Sequence, residues 1–137
     1  MPFVTDTHPL IWYITNDPKL SNSAKDVFQK ADNNLDYIII PCIVFFELLY
    51  LVEKKKIAVN FDLFLTMIPI SENYKIEPIC LPIIEKCKNI PRETVADPWD
   101  RLIAATSLHL QLPLITKDGV LNKKDGVLGK LGLETVW

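Results

Sequence analysis

Between positions 37 and 52 the chain carries a single charge, Glu47, and a single proline, Pro41. Residues 37–40 form a continuous apolar, β-branched run, which fits a strand buried on both faces. Pro41 suits the first position of a helix, because the first turn leaves its missing N–H unbonded anyway. That helix is expected from 41 to about 54, apolar on every side and therefore largely buried. Lys54-Lys55-Lys56 ends it with cations against the C-terminal dipole. A doubly buried strand feeding a buried helix is the unit of a parallel sheet covered by helices.

The rest of the chain alternates in the same way. Phe3-Val4-Thr5 reads as a first strand that ends at Asp6, followed by a helix of about two turns through 10–14 that Asn16-Asp17-Pro18 breaks. Ser21 or Ser23 can cap a second helix running to about Ala31. Further on, a helix is expected over roughly 60–67, a strand over 75–80 and a short helix over 81–88. After the loop that follows Pro91, Ala96-Asp97-Pro98-Trp99-Asp100 opens a strong helix to about Leu110. Strands are expected at 113–116 and 133–136. The fold class is thus α/β with helices on both faces of a parallel sheet. In such sheets the functional crevice lies beyond the carboxyl ends of the strands.

A length of 137 residues allows one domain, 1–137, with a real hydrophobic core. At 49% hydrophobic and 23% charged residues, the composition excludes a disordered chain. No apolar run reaches the ~18–20 residues of a membrane span. The opening MPFVTDTH has no basic segment of the secretory kind, so a cytoplasmic protein is expected. A net charge of −2 argues against holding nucleic acid by broad charge neutralisation. It leaves a nuclease open, since a carboxylate cluster makes its own face acidic until cations fill it. Cys42, Cys80 and Cys87 show no C-x-x-C pair and are expected to be reduced, buried and apolar in role.

Four acids then stand out. Glu47 lies nearly two turns into a helix without a polar face, where a lone carboxylate is costly unless paired, protonated or metal-bound. A salt bridge from elsewhere is the plain alternative. Asp6 follows the first strand, where an Asp commonly caps the next helix. Asp97 precedes Pro98 and is a natural N-cap; Asp100, three residues on, completes a pattern like a capping box, or faces the strand-end rim. Asp118 follows the strand P-L-I-T, and Gly119 allows a simple turn there. The repeat KDGVL at 117–121 and 124–128 gives Asp118 a rival in Asp125, farther from the strand. Jointly placed, hard oxygen donors without His or Cys select Mg²⁺ or Mn²⁺ over zinc.

At these residues the chain resembles the PIN-domain nucleases, and among them the VapC-type toxins of type II toxin–antitoxin systems. The motifs that carry the resemblance are V-T-D-T-H-P-L-I-W-Y at 4–13, F-F-E-L at 45–48, D-P-W-D-R-L-I-A-A-T-S at 97–107, L-P-L-I-T-K-D at 112–118 and the closing L-E-T-V-W. The resemblance implies a three-layer α/β/α domain with a central parallel β-sheet. It also implies Mg²⁺- or Mn²⁺-dependent endoribonuclease activity, an RNA substrate, a homodimer and inhibition by a cognate antitoxin. Carried over by position, the metal-binding and catalytic acids are Asp6, Glu47, Asp100 and Asp118. Thr116 matches a hydroxyl that orders the site, and Asp97 stays a cap with a supporting role.

Arg101 can pair with Asp100, contact RNA or bind the antitoxin. His8 reads as solvated or capping. Lys117 and the Lys123-Lys124 pair can hold phosphates or simply stand in water, while Trp12, Tyr13 and Phe45-Phe46 read as core or dimer interface. Two other classes compete: a PIN-like interaction module with a degenerate site, and a metal phosphohydrolase of small phosphoesters. The chain has no G-x-x-x-x-G-K-[ST] loop and no nucleophilic Ser or Cys elbow to support the latter.

Overall fold

The computed structural model of the chain describes residues 1–123 and 125–137, so Lys124 of the Lys123-Lys124 pair lies outside the described residues. Its elements run β1 (Phe3–Thr5), α1 (Thr7–Ile14), α2 (Asn22–Asp32), β2 (Ile38–Pro41), α3 (Cys42–Glu53) and α4 (Phe61–Met67). Then follow β3 (Tyr74–Glu77), α5 (Leu81–Lys88), α6 (Pro98–Leu110), β4 (Leu114–Ile115), α7 (Val127–Lys130) and β5 (Thr135–Val136). The strands form one sheet in the order β3-β2-β1-β4-β5, and every pairing is parallel. Right-handed crossovers in a sheet that winds outward both ways from β1 put helices on both faces. This is the expected α/β/α arrangement.

The order places the topological switch at β1 and β4. The chain builds outward from β1 through β2 to β3, then returns to add β4 and β5 on the other side. Crossovers diverge there, leaving a crevice at the carboxyl ends of β1 and β4. All four β2 residues are buried, as the apolar run requires of a central strand. Val4, Ile38, Ile40, Leu114 and Ile115 form the sheet's part of one contiguous core, which Leu10, Phe28, Val44 and Ile103 join from the helices. Ala104 and Ala105 are fully buried and let α6 approach β1 closely. Tyr13 and Tyr74 both donate to the Asp32 carboxylate, tying α1 and β3 to the end of α2.

Several boundaries differ from expectation for local reasons. The first helix begins at Thr7, ahead of the 10–14 stretch expected, because Asp6 itself caps it. Pro41 ends β2, paired with Glu77, and is the N-cap of α3 instead of its first residue. The third strand starts at Tyr74 and stops at Glu77, since Pro78 has no N–H to continue the ladder. The last strand is confined to Thr135–Val136, and α7 was not anticipated.

Two burial expectations fail. In α3 only Val44, Phe45 and Leu48 are buried, whereas Phe46 and Tyr50 are 47% and 46% exposed. One stripe of the helix faces the sheet; on the far side Phe46 and Tyr50 lean on each other and on Trp99. The three cysteines are free, but Cys42 is exposed at the first turn of α3, and Cys80 and Cys87 are only half-buried. Among the described residues no helix is long and apolar enough to cross a membrane.

Candidate active site

Asp6 leaves β1 as the N-cap of α1, with Oδ1 accepting from the Thr7 N–H at 2.7 Å. Its Oδ2 accepts from the Thr116 hydroxyl at 2.7 Å. Asp6 is only 7% exposed and Thr116 is fully buried, so this bond closes the gap between the ends of β1 and β4. Thr116 in turn accepts from the Asp118 N–H at 3.1 Å. The Asp118 carboxylate folds back over its own turn, taking the Val120 and Leu121 N–H groups at 2.8 and 3.1 Å. One hydroxyl thus links two of the acids.

Glu47 reaches the same place from α3. Its Oε1 accepts from the Thr7 hydroxyl at 2.6 Å. The alternative expectation, a basic partner for Glu47, is not met: the ion pairs among the described residues are Met1–Asp36 and Lys19–Asp17. Thr7 was missed in the sequence. The only signal was its place directly after Asp6, and its partner lies 40 residues away.

Asp97 caps α6 as expected, accepting from Trp99 and Asp100 N–H groups at 2.8 and 3.3 Å. The reciprocal half of a capping box is not made among the described residues; Asp100 faces the rim instead. Asp6, Glu47, Asp97, Asp100 and Asp118 line one depression of about 390 Å³ together with His8, Pro9, Trp12 and Lys117. Asp125 is exposed and stays outside it. Arg101 is also elsewhere. Its guanidinium donates to the Ile90 carbonyl at 3.1 and 2.8 Å and to the Cys87 carbonyl at 2.7 Å, holding the end of α5. Of the three roles left open for Arg101, pairing with Asp100 is not the one the structure shows: the guanidinium is committed to backbone acceptors.

Crowding of acids shows in their protonation. Burial, followed by the charges of Asp6, Asp97, Asp118 and Glu47, pushes the Asp100 carboxyl up to about 7. Burial also raises Asp6, against the opposing pull of the Thr116 and Thr7 hydrogen bonds. Glu47 is raised by burial too, with the Thr7 bond working the other way. A bound cation would reverse the sign of this strain.

Whether these residues fit a divalent ion depends on donor chemistry and spacing. The donors are all carboxylate oxygens, the set that hard cations prefer. Among the described residues, no three His, Cys, Asp or Glu side chains converge closely enough to hold one ion between them. Magnesium dehydrates reluctantly and is commonly held through one or two carboxylates with waters completing its shell. An open ring of acids around a depression of this size fits that mode and does not fit a closed cage.

Comparison with known proteins accords with this frame. The PIN domain family model matches residues 3–127, and the chain belongs to that family. It is 26% identical over 113 residues to Ribonuclease VapC22 of Mycobacterium tuberculosis (strain ATCC 25618 / H37Rv), spanning 82% of this chain and 84% of the relative. Two solved structures share its fold. VapBC2 from Rickettsia felis, bound to a DNA fragment from their promoter, superposes with a TM-score of 0.67 at 18% identity, covering 99% of this chain and 98% of that one. VapBC-1 from nontypeable Haemophilus influenzae gives 0.63 at 17% identity, covering 99% and 97%.

Proposed function

We propose that this chain is a Mg²⁺- or Mn²⁺-dependent endoribonuclease of the VapC type, the toxin of a toxin–antitoxin pair acting in the cytoplasm. The observation that carries the reading is the common depression lined by Asp6, Glu47, Asp100 and Asp118 at the switch point of a PIN-family sheet, with no ion pair to any of the four among the described residues. The ribonuclease relative supports the reaction class.

Asp6, Glu47, Asp100 and Asp118 would hold one or two cations, each through one or two carboxylates with waters completing the shell; the metal would neutralise charge on an RNA phosphate and lower the pKa of an attacking water. Thr116 and Thr7 fix the Asp6 and Glu47 carboxylates by donating one hydrogen bond to each. Asp97 anchors the start of α6 and so sets the position of Asp100. The chain's own contribution is a ring of acids held at two strand ends, at the start of α6 and in the middle of α3. No side-chain general base is needed.

The solved neighbours named as VapBC assemblies support an antitoxin as protein partner, and a homodimer is part of the same proposal. An apolar depression lined by Ile14, Leu63, Phe64 and Met67 offers the kind of surface a protein partner covers. The open spacing of the acids favours one competing reading, a PIN fold that acts by binding alone.

Cleavage of a mixed cellular RNA pool by purified, antitoxin-free protein separates the two. Discrete fragments with Mg²⁺ or Mn²⁺, absent with EDTA and with Asp6→Asn, are expected. Full activity of Asp6→Asn would sink the site assignment. Absence of both cleavage and calorimetric metal binding would establish the binding-only reading.

A further inference from the structure

The Lys117 side chain lines the same depression as the acids, yet among the described residues its ammonium forms an ion pair with none of them. Its Nζ lies 5.6 Å from the Trp12 ring centroid and 6.0 Å from that of Trp137. The two indoles meet edge to face with centroids 5.7 Å apart. The His8 ring is tilted against Trp12, with centroids 5.7 Å apart. These contacts follow from the sheet. Thr116 N–H bonds to the Val136 carbonyl, so the residues that follow β4 and β5, Lys117 and Trp137, leave the sheet side by side. Trp12 comes from α1, whose start is fixed by Asp6.

A cation is drawn to the face of an indole by the ring quadrupole. Two rings therefore compete with the nearby carboxylates for the ammonium and hold it at the rim. The carboxylates stay available to a metal ion, and the ammonium stays available to an anion. Lys117 and His8 are the basic side chains that line the depression, and Lys117 is exposed.

We infer that Lys117 binds a backbone phosphate of the RNA strand next to the phosphate at the acids, and that Trp12 and Trp137 are positioning residues that aim it. The inference rests on the ribonuclease reading for the location of the strand. It goes further in naming a second anionic subsite and the indole pair that builds it. Trp12 leaves the core-or-interface role expected of it and, with Trp137, becomes part of the substrate surface.

The test uses the full chain with Mg²⁺ and a labelled single-stranded oligoribonucleotide. Binding is read by anisotropy in an Asp6→Asn background, which blocks cleavage, and turnover is read in the wild-type background. Lys117→Ala is expected to weaken binding about fivefold to tenfold and to lower the slope of log affinity against log salt by about 0.7, the value for one phosphate contact on a single strand. Its KM rises while kcat stays within about twofold. Lys117→Arg retains the slope. Trp137→Leu is expected to weaken binding less, and to have no further effect once Lys117 is alanine, as a positioning role requires.

An unchanged salt slope in Lys117→Ala would overturn the inference, as would equal losses from Trp137→Leu in the presence and absence of Lys117. RNA binding that is absent from the outset would overturn it too. Calorimetric Mg²⁺ binding and cleavage by the wild-type protein report on the ribonuclease reading separately. A protein that cleaves with Mg²⁺ but ignores Lys117 leaves that reading intact and removes only this one.

Discussion

The Thr116 hydroxyl donates to Asp6 Oδ2 at 2.7 Å, joining residues 110 positions apart at the point where the sheet changes winding direction. The bond satisfies a carboxylate that is almost wholly withdrawn from water, and it opposes the rise in pKa that burial causes.

Thr116→Val keeps the shape of the side chain and removes the donor. Leaving a buried charged acceptor one bond short is expected to cost about 1–3 kcal/mol of stability, read as a lower urea midpoint. With its counterweight gone, the Asp6 carboxyl rises further, so Mg²⁺ affinity at neutral pH falls by about tenfold to a hundredfold. Thr116→Ser restores both. A valine variant with wild-type metal affinity would show that the hydroxyl does not serve the site.

Asp100 makes metal-free stability depend on pH. Folding raises its pKa from 3.8 to about 7, so the folded chain holds this proton more tightly than the unfolded chain. The group's contribution is full below 3.8 and is lost as pH climbs to about 7. Solvent access to this half-buried side chain limits the loss to about 1 kcal/mol. In EDTA, urea denaturation is expected to show lower stability at pH 8 than at pH 5. Asp100→Asn flattens that slope and gains stability at pH 8, while Mg²⁺ restores the wild type there. A wild-type slope in Asp100→Asn would refute the assignment.

Arg101 offers the opposite signature. Arg101→Ala strips two backbone carbonyls at the end of α5 of a charged donor and is expected to destabilise the fold by about 2 kcal/mol. Arg101→Lys recovers only part, because an ammonium cannot span both acceptors as the planar fork does. Mg²⁺ affinity and kcat of the folded variants stay unchanged. Lost cleavage at wild-type stability would instead make Arg101 an RNA contact.

Residues whose role follows from local context were legible before the fold was known. Glu47 is conspicuous as a lone charge in an apolar segment, and a carboxylate there needs a partner of some kind. Asp6 and Asp118 follow strands, and parallel sheets put strand carboxyl ends on one edge. Asp97 precedes a proline that can only begin a helix. The role of Arg101 stayed open because adjacency to Asp100 in sequence says little about direction: on a helix, neighbouring side chains point about 100° apart. The burial of α3 was overestimated because composition shows how apolar a helix is but not how many of its sides another element covers.

What the sequence determined by itself is therefore periodic and local: alternating strands and helices, the parallel sheet they imply, the caps, and a set of acids, all at element ends except Glu47 inside its apolar helix. Each depends on interactions within a few residues or on a repeating pattern, which sequence order records directly. Only the tertiary structure decided that β4 returns beside β1, so that Thr116 meets Asp6, Thr7 meets Glu47, and Lys117 lies against Trp12 and Trp137. Those contacts join chain segments tens of residues apart. They form because burying the sheet and helices together fixes one packing of the whole chain, in which a polar group withdrawn from water must find its partner wherever that packing brings one.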